Sequence, residues 1–366
     1  ANEAPPAIIS IFLGSQLEEI VNNIVSGDSS AAVSAAGIAA WDRPLRGVMV
    51  SERIGEEDIA VLNDWNVNLV RWQLRWQDFP KSPADTADAA AYDRWLGEAL
   101  AHFDTRLPLL RKYGIRVVLD LHTPPGGRIH PGAACRMFTE AAFQKQFIET
   151  WKRIAARYRG NPDIIGYDLM NEPVVPAVPG EGCRPWRELA SDAVRAIRNI
   201  DPEMPVVFEN QQWAIPNTLT NFRPLPFRDV IYSIHFYYPY EVAFQGLNGS
   251  PAGIEYPGTI NGEMWDRARL EKELLPVIDL QKKHDVRIFI GEFSCIRWAP
   301  EGTGRRLLAD MISIFEERKW AWTYHAFREW SGWSVEHSRN PAEQERALCP
   351  TDREQLLREA FSQNRK

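Results

Sequence analysis

The chain has 366 residues, of which 45% are hydrophobic and 25% are charged, a composition that is ordinary for a soluble globular protein. Its net charge of −7 argues against nucleic acid or an anionic membrane surface as the main partner, because an acidic protein surface repels both. No apolar run approaches the roughly 20 residues that span a bilayer, and the run at residues 8–13 is too short.

Residues 1–44 mix Ala, Ser and Pro around one apolar helical stretch at residues 17–25. We predict that they form an N-terminal extension packed on the main domain. The sequence has no starting Met and no charged segment followed by an apolar one, which is typical of a processed mature form. We therefore expect a secreted or periplasmic protein.

The four cysteines have neither a Cys-x-x-Cys pair nor a His at zinc-finger spacing, so their pattern does not predict a metal site. An even number of cysteines allows disulfides. One prediction pairs Cys135 with Cys183, because both fall in loops after consecutive predicted strands, and Cys295 with Cys349. The alternative is that all four are free thiols, since Cys is often simply a small core residue.

From Leu45 onward, apolar strand patterns alternate regularly with amphipathic helical patterns. The predicted strands are residues 46–50, 68–72, 116–122, 164–171, 206–209, 230–237, 287–292 and 320–325; the predicted helices are residues 56–65, 92–113, 141–158, 186–200, 265–284, 304–319 and 352–361. Eight such units favour a closed (β/α)8 TIM barrel over an open doubly wound sheet, and no Gly-x-Gly-x-x-Gly follows the first strand. We predict a single α/β domain over residues 45–366.

Two buried strand patterns end in a carboxylate. The run at residues 164–173 places Asn171 and Glu172 at the C-terminal tip of the fourth strand, before Pro173, and Glu292 ends the seventh strand in the same way. Either acid alone could be a structural residue, but on strands four and seven of one barrel the two can face a common bond. Two carboxylates that flank a glycosidic bond are the minimal apparatus for its hydrolysis, with retention at a separation of about 5 Å and inversion at about 6.5–9.5 Å. The sequence leaves that separation open.

Polar side chains also end the neighbouring strands. Arg71 follows strand two, His122 follows strand three, and His235 and Tyr237 lie at strand six. Buried charges are costly unless paired, so a cluster of such tips indicates a functional site, although a structural ion pair or a satisfied core histidine explains each one singly. We expect Arg71 to pair with Glu292, Tyr237 to bind the nucleophile through its hydroxyl, and the amide of Asn171 to bind a sugar hydroxyl.

These motifs resemble glycoside hydrolase family 5, the cellulase family of clan A. The matching stretches run in family order: Asn68-Leu69-Val70-Arg71, Leu119-Asp120-Leu121-His122, Asn171-Glu172-Pro173, His235-Phe236-Tyr237 and Gly291-Glu292-Phe293. The resemblance implies that Glu172 is the general acid/base and Glu292 the nucleophile. It also implies that Arg71, His122, Asn171, His235 and Tyr237 surround the sugar at the cleaved bond.

The family also carries a Trp at the end of strand eight, beneath this sugar. Here one alignment places His325 at that position, with Trp322 and Trp330 as neighbours, and we take Trp330 as the substrate-binding aromatic. Other rings that could line a sugar cleft are Trp213, Tyr238, Trp298 and Trp333, since aromatic faces stack on pyranose rings; packing within the loops is the alternative for each.

The predicted function is a retaining glycoside hydrolase that needs no cofactor or metal and cleaves β-linked glucans or related oligo- and polysaccharides. It resembles an endo-β-1,4-glucanase most, with an exo-acting β-glucosidase or a β-mannanase as alternatives. Two rivals from other classes are a metal-dependent hydrolase, which lacks the expected His-x-His and His-Glu-x-x-His patterns, and a carbohydrate-binding barrel without catalysis. We expect a monomer without a membrane span or a nucleic-acid partner.

Overall fold

The computed structural model describes residues 37–76, 87–129 and 134–364. Ten strands occur in this part of the chain: β1 Arg46–Val50, β2 Leu69–Gln73, β3 Arg116–Asp120, β4 Ile164–Asp168, β5 Val206–Glu209, β6 Val230–His235, β7 Gly258–Ile260, β8 Glu263–Trp265, β9 Arg287–Glu292 and β10 Ala321–Tyr324. All the predicted strands are present. The predicted ends of β3, β4 and β6 extend too far, because the residues beyond them leave the sheet to form the site.

Nine α-helices occupy the described residues: α1 Glu56–Asp64, α2 Ala89–Lys112, α3 Ala141–Tyr158, α4 Trp186–Arg198, α5 Tyr240–Ala243, α6 Arg267–Glu273, α7 Leu275–His284, α8 Thr303–Glu317 and α9 Asp352–Phe361. The predicted helix at residues 265–284 is two helices, and a hairpin of β7 and β8 precedes it. The hairpin was missed because each of its strands has only three residues. The predicted helix at residues 17–25 lies outside the described residues.

Eight of the strands close into a parallel barrel in the order β1-β10-β9-β6-β5-β4-β3-β2, which confirms the predicted fold. Each strand is buried along nearly its whole length, with helices covering the outside, and this explains the near-continuous apolar runs in the sequence. Because the strands are parallel, their C-terminal tips meet at one end. All the predicted site residues therefore share one face of the barrel.

The other end of the barrel is closed by Trp41, which lies in a short 3₁₀ helix, Ala40–Asp42, just before β1. Its indole donates a hydrogen bond to the carbonyl oxygen of Ile165 at 2.7 Å. The ring packs on an inner layer to which seven of the strands each contribute one side chain: Leu69, Val118, Ile165, Val207, Ile231, Phe289 and Ala321. Residues just before β1 thus seal the barrel floor, while residues 1–36 of the predicted extension lie outside the described part.

The cysteines are all free thiols, so the predicted pairing is wrong and its alternative holds. Cys295 is buried directly after β9, whereas Cys349 lies on an exposed loop, so the two thiols occupy different environments. Cys135 is buried and accepts a hydrogen bond from the backbone of Val174 at 3.5 Å, while Cys183 is only partly buried. Among the described residues, no helix is both long and apolar enough to cross a bilayer.

Candidate active site

Arg71 is the centre of a buried ion cluster at the C-terminal end of the barrel. Its guanidinium lies 2.8 Å from Asp168, 2.9 Å from Glu209, 2.9 Å from Glu292 and 3.1 Å from Asp120, and it also donates to the side-chain oxygen of Asn171 at 3.1 Å. Arginine suits this position because its planar fork offers five donors. The predicted pairing of Arg71 with Glu292 is present, but three further carboxylates share the same cation.

Glu172 lies on a sharp turn just beyond β4. Its backbone adopts the left-handed conformation, with φ of 46°, which is unusual for a residue other than glycine. The turn is held from two sides: the Glu172 amide donates to Glu209 at 2.7 Å, and Arg128 donates to the carbonyl oxygens of Asn171 and Glu172 at 2.9 and 3.0 Å. A strained backbone held by surrounding contacts is typical of a functional position.

His235 lies between two acids. Its Nδ1 is 2.8 Å from Glu172 and its Nε2 is 3.0 Å from Glu209. Although burial lowers the pKa of His235, the charges of Glu209 and Glu292 and its hydrogen bonds to Glu172 and Glu209 raise it well above the usual value, so the ring is a cation. A register shift at the end of β6 pairs His235 with Glu292 on β9, and Gly291 leaves room for the ring because a Cβ there would lie 3.1 Å from Nε2.

Glu172, His235 and Glu292 could bridge a metal by distance alone, since one ligand atom of each lies within 4.8 Å of the others. However, both ring nitrogens of His235 donate hydrogen bonds to carboxylates, so neither offers the lone pair that a metal requires. The chemistry of the set therefore fits a proton-transfer site better than a metal centre.

Glu292 is enclosed by donors. Arg71 binds one oxygen at 2.9 Å, Tyr237 donates to the other at 2.7 Å, and His325 lies 3.3 Å from that second oxygen. Burial alone would raise the pKa of Glu292, but the charges of His235, His325 and Arg71 outweigh burial and hold the pKa well below the usual value. Glu292 is thus an ionised carboxylate in a buried place, as a nucleophile must be.

His122 and Asp120 form a second hydrogen-bonded pair, with 2.8 Å between His122 Nδ1 and the Asp120 carboxylate. Burial lowers the pKa of His122 to about 3, so its ring is neutral and can accept as well as donate hydrogen bonds. Burial raises the pKa of Asp120 to about 8, and the nearby Glu209 and Glu292 act in the same direction. Such paired polar groups suit the recognition of sugar hydroxyls.

The acids open into a cleft of about 470 Å³. It is lined by residues from several strand tips and their loops: Arg53, Arg75, His122, Asn171, Glu172, Glu292, His325, Glu329, Trp330 and Trp333. Trp330, the predicted aromatic, is 42% exposed and packs edge-on against Trp333 and Trp298. A Cβ at Gly332 would lie 2.3 Å from the Trp330 ring, so this glycine allows the indole to occupy its place.

The structure brings together all eight predicted site residues, and it adds five others. Asp120, Asp168 and Glu209 bind Arg71 from β3, β4 and β5. His325 and Glu329 follow β10, where the cleft was expected to present a Trp. A carboxylate inside an otherwise apolar strand is the signal that could have identified the first three, because such a charge requires a buried partner.

Comparison with known proteins identifies the family. Residues 31–331 match the sequence profile of the Cellulase family, glycosyl hydrolase family 5. The chain is similar to Endoglucanase C of Acetivibrio thermocellus, with 26% identity over 289 residues that cover 72% of this chain and 81% of the relative. It is also similar to Cellodextrinase A of Ruminococcus flavefaciens, with 25% identity over 272 residues that cover 73% of this chain and 72% of the relative.

The fold comparison agrees. A structure of Thermotoga maritima Cel5A in complex with cellobiose superposes with a TM-score of 0.67 at 22% identity, over 88% of this chain and 98% of that one. The profile match spans most of the described barrel and contains both strand-tip acids. With its barrel, its paired carboxylates and this match, the chain belongs to glycosyl hydrolase family 5, the cellulase family, and is a glycoside hydrolase.

Proposed function

We propose that the protein is an endo-β-1,4-glucanase that cleaves β-linked glucans with retention, through a covalent glycosyl-enzyme. The observation that carries the retaining mechanism is the separation of the two acids: a carboxylate oxygen of Glu172 lies within 4.8 Å of one of Glu292. This upper limit on the distance between the nearest oxygens favours the roughly 5–5.5 Å spacing of the carboxyl groups in retaining enzymes over the spacing of about 6.5–9.5 Å that admits water in inverting enzymes.

In the first step, a carboxylate oxygen of Glu292 attacks the anomeric carbon while the bond to the leaving oxygen breaks. Glu172 gives its proton to that oxygen. His235 donates to Oε1 of Glu172, so the transferable proton is carried on Oε2. Arg71 and Tyr237 hold the two oxygens of Glu292 in position for the attack.

In the second step, Glu172 takes a proton from water, and the water oxygen attacks the anomeric carbon as the ester to Glu292 breaks. The sugar is released with its original configuration, and Glu172 is again protonated. Asn171 contributes through its amide nitrogen, since its oxygen already accepts a hydrogen bond from Arg71. The amide can then donate to the hydroxyl next to the reacting carbon.

Exposed aromatic rings follow the two strands that neighbour those of the acids, since β10 lies beside β9 and β5 lies beside β4, and this arrangement supports internal cleavage of a polymer. Trp330 follows β10, whereas Trp213 follows β5 and is also 42% exposed. The turn that carries Trp213 is joined to the loop after Glu172 by a hydrogen bond from the backbone N–H of Gln212 to the carbonyl oxygen of Pro173 at 2.5 Å. Sugars could therefore stack on both sides of the cleaved bond, and the relative from Acetivibrio thermocellus is itself an endoglucanase. Secretion or periplasmic export forms part of this proposal, because a glucan polymer of this kind does not cross a membrane.

Aryl β-glycosides test the chemistry. We expect Glu292→Ala to abolish hydrolysis of an aryl β-cellobioside, and Glu172→Ala to retain activity only on substrates whose leaving group needs no proton. The matched control is Glu301→Ala, which removes an exposed acid from the loop after β9. Full activity in Glu292→Ala, or an inverted product in the proton NMR spectrum of early hydrolysis, would refute the proposal.

A substrate panel tests the specificity. Glucosides, cellobiosides, mannosides and xylosides with the same aryl leaving group separate the glucanase from a β-glucosidase and a β-mannanase. With a soluble cellulose derivative, an endo-acting enzyme lowers the viscosity early, before many reducing ends appear. A slow fall in viscosity with rapid release of glucose would instead identify an exo-acting enzyme.

A further inference from the structure

His325 lies directly after β10, with its side chain between two acids and a tyrosine. Its Nδ1 is 2.5 Å from the Tyr237 hydroxyl and 3.3 Å from Glu292, while its Nε2 is 3.3 Å from Glu329. The side chain is only 16% exposed. These contacts connect the proposed nucleophile to a second carboxylate, Glu329, through one imidazole ring.

The hydrogen atoms in this chain of contacts can be assigned. Tyr237 has one hydroxyl hydrogen and two close neighbours, Glu292 and His325. If it donates to Glu292, then its oxygen must accept, and Nδ1 of His325 must carry a hydrogen. Nε2 faces Glu329, which can only accept: burial opposes its ionisation, but its hydrogen bond to His325 and the charges of His325 and Arg75 lower its pKa to about 2. All three contacts are therefore satisfied together only when His325 is an imidazolium.

The titratable groups around His325 come from several elements. They are Glu292 on β9, His235 and Tyr237 at β6, Arg75 after β2, and Glu329 on the loop that follows His325 itself. Burial lowers the pKa of His325 and His235 acts in the same direction, but Glu292 and Glu329 outweigh them and raise it. Glu329 is in turn held by Gln73 at 2.7 Å and by Arg75.

We propose that His325 is a positioning residue whose imidazolium state directs the hydroxyl hydrogen of Tyr237 onto the nucleophile Glu292. This inference rests on the proposed retaining mechanism and adds a residue to it. When His325 loses one proton, Nε2 keeps its hydrogen because it donates to Glu329, and Nδ1 is left with a lone pair that can only accept. The Tyr237 hydrogen then turns to Nδ1, and Glu292 loses a donor.

The same geometry predicts a change during the reaction. Once Glu292 has formed its ester with the sugar, its negative charge is gone. Of the two acids that contact His325, Glu329 then remains to stabilise the cation. The ring therefore holds its proton less firmly in the glycosyl-enzyme than in the free enzyme. Glu329 has two effects, since it raises the proton affinity of His325 and selects the Nε2–H form when the ring is neutral.

The direct test follows the ring of His325 by NMR in enzyme with nitrogen-labelled histidine, over a range from about pH 4 to pH 9. We expect a protonated ring at neutral pH. In Glu329→Gln the midpoint of titration should fall by about one unit or more, because one of its two anionic partners is removed. It should also fall when Glu292 is trapped as the ester of a 2-fluoro glycoside.

Kinetic variants test the role. His325→Leu should lower kcat/KM by about 10- to 100-fold, the effect of a hydrogen bond to a charged group, with kcat falling more than KM rises. His325→Gln should recover part of this loss, since its amide can still donate to Tyr237, and its pH profile should lack the titration of the ring. His284→Gln is the matched control, because His284 ends α7 at the opposite end of the barrel.

Several outcomes would overturn the inference. They are a neutral His325 at neutral pH, an unchanged midpoint in Glu329→Gln, or wild-type kinetics in His325→Leu. If His325→Leu fails to fold, the inference is tested by the titration midpoint of His325 and by the pH profile of activity, both measured in Glu329→Gln. Failure of the proposed function is distinguishable, because it would appear as activity in Glu292→Ala or as no trapped ester, whereas the titration of His325 in the free enzyme is measured in either case.

Discussion

Replacing Arg71 by Met tests whether one buried cation holds the site together. In the native protein this guanidinium lies within 3.1 Å of Asp120, Asp168, Glu209 and Glu292, and it is completely buried. Met has a similar reach and an apolar side chain, so it fills the space without supplying a charge. The substitution leaves a group of buried carboxylates that face one another.

The expected cost is large. Removing one partner of a buried ion pair typically costs about 3–5 kcal/mol, because the charge left behind has neither water nor a counter-ion. Arg287 provides the comparison: it pairs with Asp42 at 2.7 Å, but the two side chains are 40% and 61% exposed, and such surface pairs contribute about 0–1 kcal/mol. Arg71→Met should also lower kcat/KM by about 10- to 100-fold or more, because Glu292 loses a charged donor.

Denaturant unfolding followed by fluorescence and circular dichroism measures the effect in Arg71→Met and in Arg287→Met as the control. The loss of unfolding free energy in Arg71→Met should increase as the pH rises. The charge of Arg71 lowers the pKa of each of the four acids, so its removal raises these pKa values in the folded state. The folded variant therefore keeps protons that the native protein releases, and its stability relative to the native protein falls as the pH rises. Arg71→Met within about 1 kcal/mol of Arg287→Met, with no dependence on pH, would refute this reasoning.

Three further predictions concern the surroundings of the acids. Burial raises the pKa of Asp120 to about 8, so its contribution to stability is complete below about pH 4, the value for an unfolded chain, and is lost as the pH rises to about 8. Asp120→Asn should therefore flatten the curve of stability against pH in this range, and an unchanged slope would contradict the raised pKa of Asp120. Trp330→Ala should raise KM for a cello-oligosaccharide by about 2- to 10-fold with a smaller change in kcat, and Gly332→Ala should act in the same direction by displacing the ring; an unchanged KM in both would exclude a stacking role. A reducing agent should leave the unfolding midpoint unchanged, because all four cysteines are free thiols, and a fall in the midpoint would reveal a disulfide.

The sequence predicted the barrel and the end at which the site lies for a clear physical reason. Buried parallel strands produce continuous apolar runs, and eight of them with intervening helices can close on themselves. Once the strands are parallel, every tip residue belongs to the same face. Arg71, Glu172 and Glu292 could therefore be placed together without any knowledge of their distances.

The contacts within the site could not be predicted in the same way. A register shift at Ile234 and His235 brings the ring of His235 beside Glu292, and no residue pattern in β6 signals it. The separation of Glu172 and Glu292 depends on that register and on the left-handed turn at Glu172. Glu209 ends its strand as Glu292 does, yet only the structure shows that it binds Arg71, His235 and the Glu172 amide.

The two proposed catalytic acids differ because their surroundings differ. Glu292 has a side chain only 4% exposed, and Arg71, His235 and His325 face it, so its negative charge is stabilised where water is excluded. Glu172 has a side chain 23% exposed towards the cleft, where a leaving group or a water molecule can exchange a proton with it. Such a difference in environment is what assigns one carboxylate as nucleophile and the other as proton carrier. The surroundings thus support the two proposed roles on grounds separate from family resemblance: Arg71, His325 and Tyr237 all contact Glu292, whereas Glu172 is the acid that is open to the cleft.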